Sequence, residues 1–268
     1  MSRIRETFAS LRRASRSGFI PFVTAGDPDI ETTERLLIEL AAAGADIIEV
    51  GVPFSDPVAD GETIQRASER ALRKGVTVRD VLTCIARTRQ CIDVPIVLFS
   101  YFNPLLSFGK ERLANAARAA GADAVLVTDL IPEEAGAWTE TLNQFDIDPI
   151  FLVAPTTSDK RLNEIARQAR GFIYAVSRAG VTGARDQMTE DAETLVKRVR
   201  LVTDLPVAVG FGISTAEQLR AVWRFADAAV VGSAIVREIE RLSGKDDLVT
   251  QLGQFARSLL GPKQVSHV

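Results

Sequence analysis

The nineteen residues Ala43-Gly44-Ala45-Asp46-Ile47-Ile48-Glu49-Val50-Gly51-Val52-Pro53-Phe54-Ser55-Asp56-Pro57-Val58-Ala59-Asp60-Gly61 hold one full unit of the architecture. Gly44 stops a helical pattern that starts at Ile30 and puts Leu36, Leu37, Leu40 and Ala41 on one face. Asp46–Val50 follows as a nearly continuous apolar run, which predicts a strand buried on both sides. The loop 51–60 comes next, stiffened by Pro53 and Pro57 and bounded by Gly51 and Gly61. The helix-end phrase Ala-Gly-Ala-Asp recurs at 120–123, after an Ala-rich helical stretch from Arg112 to Gly121.

The same unit recurs along the whole chain. Apolar runs lie at Phe19–Thr24, Asp46–Val50, Pro95–Phe99, Asp123–Thr128, Pro149–Val153, Gly171–Val176, Pro206–Gly210 and Ala228–Gly232, with helical patterns between them. Eight such units in 268 residues, roughly 33 residues each, point to an α/β fold, a single (β/α)8 TIM barrel spanning 1–268. A doubly wound open sheet shares this local grammar, but no Gly-x-Gly-x-x-Gly follows the first run. Within 1–18, Ile4, Phe8 and Leu11 fall at helical spacing, so this segment reads as an N-terminal capping helix, and about 260–268 as a C-terminal tail. Glu6 and the missing apolar core segment argue against a targeting peptide.

Composition closes off several chemistries. With 32 Lys+Arg against 35 Asp+Glu the net charge is −3, which gives no electrostatic footprint for nucleic acid. No apolar run approaches a membrane span; Ala228–Val236 already contains Gly232 and Ser233. The single histidine is His267, which excludes a Ser-His-Asp triad, a Cys-His pair and a His-ligated zinc site in the body of the chain. Cys84 and Cys91 read as two half-buried thiols on one helix face, in keeping with a reducing, cytoplasmic setting. No lysine falls at a strand end, so a Schiff-base aldolase is not expected, and no metal is expected either. Asp56, Asp60 and Asp129 are the best remaining ligands for one.

The chemistry that remains belongs to carboxylates and backbone dipoles. Glu49 is an acid inside an apolar strand, near the end where a barrel strand points its side chains into the mouth; desolvation there raises a carboxyl pKa toward acid/base use. The following loop delivers Asp56 and Asp60 close by, although Asp-Pro and Asp-Gly are also plain turn signals. Ala-Gly-Val-Thr-Gly at 179–183, Gly-Phe-Gly-Ile-Ser at 210–214 and Val-Gly-Ser-Ala at 231–234 follow the sixth, seventh and eighth runs. Gly-rich loops and helix N-termini at these places make a phosphate site. Phe22, Phe99, Tyr101, Tyr174 and Phe211, all at strand ends, suggest a flat apolar group enclosed beside it. Loops 51–60 and 177–189 are long enough to close over a substrate.

Four strings carry a resemblance: Pro-Phe-Val-Thr-Ala-Gly-Asp-Pro (21–28), Glu-Val-Gly-Val-Pro-Phe-Ser-Asp-Pro-Val-Ala-Asp-Gly (49–61), Ser-Arg-Ala-Gly-Val-Thr-Gly (177–183) and Gly-Phe-Gly-Ile-Ser (210–214). Over about residues 3–242 the chain resembles the alpha subunits of tryptophan synthase. The resemblance implies a (β/α)8 lyase that cleaves indole-3-glycerol phosphate by a retro-aldol step, in L-tryptophan biosynthesis. It implies no cofactor of the chain's own, with PLP expected only on a partner beta subunit in an allosteric alpha2-beta2 heterotetramer. By the family pattern Glu49, Asp60 and Tyr174 are catalytic. Phe22, Phe99, Tyr101, Thr182, Gly183, Phe211, Gly212, Gly232 and Ser233 bind substrate, and Asp56, Pro57 and Pro132 face the partner. Glu62 stands where the family usually has Pro. A stand-alone lyase, a weakly active allosteric barrel and a sugar-phosphate isomerase are the competing readings.

Overall fold

The structure is a computed structural model that describes residues 2–176, 185–210 and 212–261, with the backbone alone over 185–189. The strands are β1 (Gly18–Thr24), β2 (Ile48–Gly51), β3 (Ile96–Ser100), β4 (Ala124–Val127), β5 (Asp148–Val153), β6 (Ile173–Val176), β7 (Val207–Gly210) and β8 (Ala228–Val231). Each pairs in parallel with the next, and β1 pairs with β8, so the sheet closes into the expected barrel. The helices are α1 (Arg3–Arg13), α2 (Ile30–Ala43), α3 (Glu62–Arg73), α4 (Val78–Thr88), α5 (Phe102–Phe108), α6 (Lys110–Ala120), α7 (Gly136–Gln144), α8 (Asp159–Gln168), α9 (Arg185–Arg200), α10 (Ala216–Trp223), α11 (Ser233–Leu242) and α12 (Leu248–Leu260). No helix among the described residues is long and apolar enough to cross a membrane.

The strands are apolar throughout because both of their faces are covered. Ile20, Ile47, Val97, Leu126, Ile150, Ala208 and Val230 fill the inside of the barrel, while Val23, Val50, Leu98, Val125, Val209 and Val231 face the helices. Ile4, Phe8 and Leu11 of α1 join the inner set and close its N-terminal end, with the Phe8 and Phe172 rings 5.8 Å apart. This helix is shorter than the 1–18 segment read from the sequence. It ends at Arg13, and Gly18 already belongs to β1, its N–H donating to the Asp227 carbonyl.

The Ala-Gly-Ala-Asp phrase has a double role. Gly44 (φ +110°) and Gly121 (φ +85°) end α2 and α6 in left-handed conformations. The Asp two residues later then pairs twice with the preceding strand. The Asp46 N–H donates to the Phe19 carbonyl, and its carboxylate accepts from the Phe19 N–H at 2.9 Å. Asp123 does the same with Ile96 and Asp227 with Val207, the carboxylates accepting at 2.9 Å in both cases. Arginines neutralise all three: Arg16 on Asp46, Arg3 and Arg89 on Asp123, Arg200 on Asp227. These acids clamp the N-terminal rim and leave the opposite rim to chemistry.

One expectation fails locally. Cys84 is buried in α4, but α4 ends at Thr88, so Cys91 lies beyond it and is exposed; both thiols are free.

Candidate active site

Glu49 of β2 follows Ile47, the residue just before the strand, by two positions, so both point into the barrel, with Phe22 of β1 and Val97 of β3 beside Glu49 in register. It is 0% exposed, and neither carboxyl oxygen has a hydrogen-bond partner among the described residues. Burial without a compensating charge penalises the ionised form and pushes its pKa up to about 8. At neutral pH this group holds its proton.

Asp60 sits half-buried at the end of the β2–α3 loop. The loop is anchored at both ends: the Val52 N–H donates to the Phe99 carbonyl at 2.8 Å, and the Ala59 N–H donates to the Tyr101 hydroxyl at 2.9 Å. Gln65 closes the turn by donating to the Asp60 carbonyl at 2.9 Å. Burial raises the Asp60 pKa to about 6, against the Tyr101 hydroxyl, which lowers it. Between pH 6 and 8, therefore, one carboxyl is an acid and the other an anion. Such splitting by environment is how two like groups take opposite roles.

Tyr174 lies on β6, buried, with its phenol held protonated first by burial and then by the charges of Glu49 and Asp60. Its hydroxyl occupies space left by Gly210; a Cβ there would fall 2.6 Å from the Tyr174 oxygen. Tyr174, Gly210 and Asp60 all line a cavity of about 630 Å³ at the strand C-terminal end. Its apolar wall comes from Val58, Ile64, Phe99, Leu152, Val176 and Val230. Gly212 (φ +56°), Gly232 and Ser233 form another part of the lining, where α11 begins. No side chain caps α11, whose N-terminal cap is Gly232, so its first N–H groups are free for an anion. A cavity of about 650 Å³ at the other end of the barrel is lined by Arg5, Arg12, Asp148 and Arg170 and touches none of these groups.

The expected site residues divide by position. Asp60, Phe99, Tyr174, Gly212, Gly232 and Ser233 meet at the cavity wall. Glu49, Phe22 and Tyr101 stand behind it: Glu49 is fully buried beside Phe22 in register, Phe22 packs edge-on against Phe99 at 5.1 Å, and Tyr101 supports the loop with its ring 5.1 Å from that of Phe54. Asp56 is exposed, Pro57 half-buried and Pro132 buried, with Ile131 beside Pro132 at 41% exposure. Thr182, Gly183, Phe211 and most of loop 177–189 lie outside the described residues, as does His267. Glu62 is the first residue of α3, where an acid suits the helix dipole. Asp129 accepts from the Phe102 N–H at 2.7 Å, and no group of three potential metal ligands occurs among the described residues. The cavity residues Leu152, Val176 and Val230 were not singled out from sequence, although inward alternation along β5, β6 and β8 marks them.

The family model described as tryptophan synthase alpha chain matches residues 8–260. The chain is 50% identical to the tryptophan synthase alpha chain of Citrifermentans bemidjiense, over 97% of both chains. It is also 50% identical to that of Geobacter sulfurreducens, over 97% of this chain and 98% of the relative. Among solved structures it is similar to tryptophan synthase subunit alpha from Legionella pneumophila, with TM-score 0.90, 36% identity and 97% of both chains covered. A structure of Mycobacterium tuberculosis tryptophan synthase gives TM-score 0.86 and 39% identity over 97% of this chain and 99% of that one.

Proposed function

The chain belongs to the tryptophan synthase alpha chain family, and from that premise we propose how its residues divide the work. The activity is that of the family, a lyase reaction of L-tryptophan biosynthesis: retro-aldol cleavage of indole-3-glycerol phosphate to indole and glyceraldehyde 3-phosphate. The observation that carries the division of labour is a pair of carboxyls in unlike settings: Glu49 fully buried with neither oxygen hydrogen-bonded among the described residues, and Asp60 half-buried at the cavity wall beside the Tyr101 hydroxyl.

Protonated Glu49 gives its proton to the indole carbon that bears the glycerol chain. The ring becomes a cation, and the Asp60 carboxylate accepts a hydrogen bond from its N–H. The Glu49 carboxylate then takes the proton of the adjacent hydroxyl. The carbon–carbon bond breaks, its electron pair returns to the ring, and the alkoxide carbon becomes the aldehyde. One proton leaves Glu49 and one returns, so the residue ends the cycle as it began. Tyr174 donates its hydroxyl hydrogen to the substrate, and Val58, Ile64, Phe99 and Leu152 enclose the indole. The phosphate lies at Gly212, Gly232 and Ser233, on the open N–H groups of α11. Thr182, Gly183 and Phe211 complete substrate binding. In this family the alpha chain has no cofactor of its own; PLP belongs to the partner beta subunit.

The partner-facing rim is the one above the cavity. Val58, next to Asp56 and Pro57 on the segment after β2, is 85% exposed, Leu106 after β3 47%, and Ile131 after β4, next to Pro132, 41%. Such apolar exposure is what a stable partner covers. Docking there of the beta subunit in an alpha2-beta2 complex would receive indole directly, in the cytoplasm, from one barrel domain formed by residues 1–268. The test is indole release from indole-3-glycerol phosphate by the purified chain, alone and with a beta subunit. Slow release that rises steeply with the partner is the expected result; no release in either case would remove this reading.

A further inference from the structure

Two helices deliver the two ends of the cavity. α3 starts just after Asp60 and Gly61, and α11 starts at Ser233. Both N-termini line the same cavity, Asp60, Gly61 and Ile64 on one side and Gly232 and Ser233 on the other. Behind the cavity the helices meet over a small buried cluster of Phe22, Ala67 and Val236, with Ile64 and Phe99 packed against it. This contact is apolar and carries no directional bond between the two helices.

Charge supplies what this apolar contact lacks. Arg70 of α3 donates from Nε and Nη2 to the two oxygens of Asp27, both at 2.8 Å, and from Nη1 to Glu240 of α11 at 2.7 Å. Arg66 adds a two-pronged contact to Glu240, both bonds at 2.8 Å. Asp27 is 2% exposed, on the loop after β1, and its only side-chain partner among the described residues is Arg70. One guanidinium thus ties α3, α11 and the β1 loop together through planar, two-pronged geometry that an ammonium cannot reproduce. The Glu240 carboxyl is held at about 2, first by its hydrogen bond from Arg66, so Glu240 stays charged over the working range.

None of Asp27, Arg66, Arg70 and Glu240 lines the cavity. Arg70 lies eight residues into α3 from Glu62, about 12 Å along the axis, and Glu240 seven residues from Ser233, about 10 Å. We infer that Arg70, with Asp27 and Glu240, is a positioning residue for the cleavage: it fixes the spacing between the helix end that carries Asp60 and the helix end that receives phosphate. This rests on the reading above, in which the indole N–H lies at Asp60 and the phosphate at α11. A substrate whose ends are held by different helices feels any slip between them, whereas a fragment that occupies one end does not.

That difference is the test. Arg70→Lys and Glu240→Gln are compared with the unaltered chain, in the complex with its beta subunit. The readings are kcat/KM for indole-3-glycerol phosphate and the inhibition constants of indole alone and of glyceraldehyde 3-phosphate alone. Misplacement by about 1 Å costs up to about a hundredfold in rate, so kcat/KM falls on the order of ten- to a hundredfold, mainly through kcat, in both variants. Each fragment's inhibition constant moves less than about threefold, since uniform binding at each end is untouched. Glu240→Gln leaves the buried Asp27–Arg70 pair intact and folds even if Arg70→Lys does not. Unchanged kcat/KM in a folded variant overturns the inference, as does a loss of fragment binding that parallels the loss of kcat/KM. If the unaltered chain releases no indole, the reading beneath it fails first, and the two failures are told apart by that control.

Discussion

Replacing Glu49 by Gln exchanges activity for stability, and the size of the exchange depends on pH. In the unfolded chain the carboxyl titrates near its ordinary 4.5; in the barrel burial holds it at about 8. The folded state therefore binds this proton more tightly than the unfolded state. Stability from this group is fully present below pH 4.5 and is lost as pH rises through 8. At about 1.4 kcal/mol for each tenfold change in proton concentration, the interval from 4.5 to about 8 amounts to about 5 kcal/mol. Between pH 5 and pH 9 about 4 kcal/mol of that loss is realised in the wild type. Gln does not titrate, so the variant lacks this slope. The cost of its buried, unpartnered amide is the same at every pH and cancels from the difference, as does the contribution of Asp60. Urea unfolding at pH 5, 7 and 9 is the assay. The variant should gain about 4 kcal/mol on the wild type between pH 5 and 9 while losing indole release. A difference that stays constant within about 1 kcal/mol would refute the claim that Glu49 is buried as a neutral acid.

Other perturbations separate site from scaffold. Asp60→Asn removes the charge that offsets the ring cation, and kcat should fall at least about a hundredfold; steady-state indole release checks it, and activity insensitive to the change removes Asp60 from the mechanism. Gly210→Ala places a Cβ 2.6 Å from the Tyr174 hydroxyl. It should cut kcat about tenfold, and less so in a Tyr174→Phe background where that clash is gone, a non-additivity that a double-mutant cycle measures. Asp123→Asn breaks the buried rim pairing with Arg89 and should cost about 3 kcal/mol in urea unfolding while leaving kcat within about twofold.

The barrel was legible in the sequence because all eight strands are buried on both faces and so stand out as apolar runs. The edges were less so: Asp46 and Asp123 read as strand openers, yet β2 begins at Ile48 and β4 at Ala124, because both acids serve to hold the preceding strand. Glu49 was visible for a physical reason, since an acid among Ile47, Ile48 and Val50 has no inexpensive structural purpose. The reason Tyr101 stands behind the wall was not visible, because its bond to Ala59 spans 42 residues. The Arg70 network was hidden more deeply. Its partners lie 43 and 170 residues away, Asp27 on the loop after β1 and Glu240 on α11. Sequence periodicity reports which face of an element is buried, not which charges meet across two faces.

The pH dependence of kcat/KM for indole release tests most directly the claim that two carboxyls, set apart by burial, share the cleavage. Asp60 must be ionised and Glu49 protonated in the free enzyme, so activity should rise through about pH 6 and fall through about pH 8. A rate that is flat across that range, or that still climbs above pH 8, would contradict it.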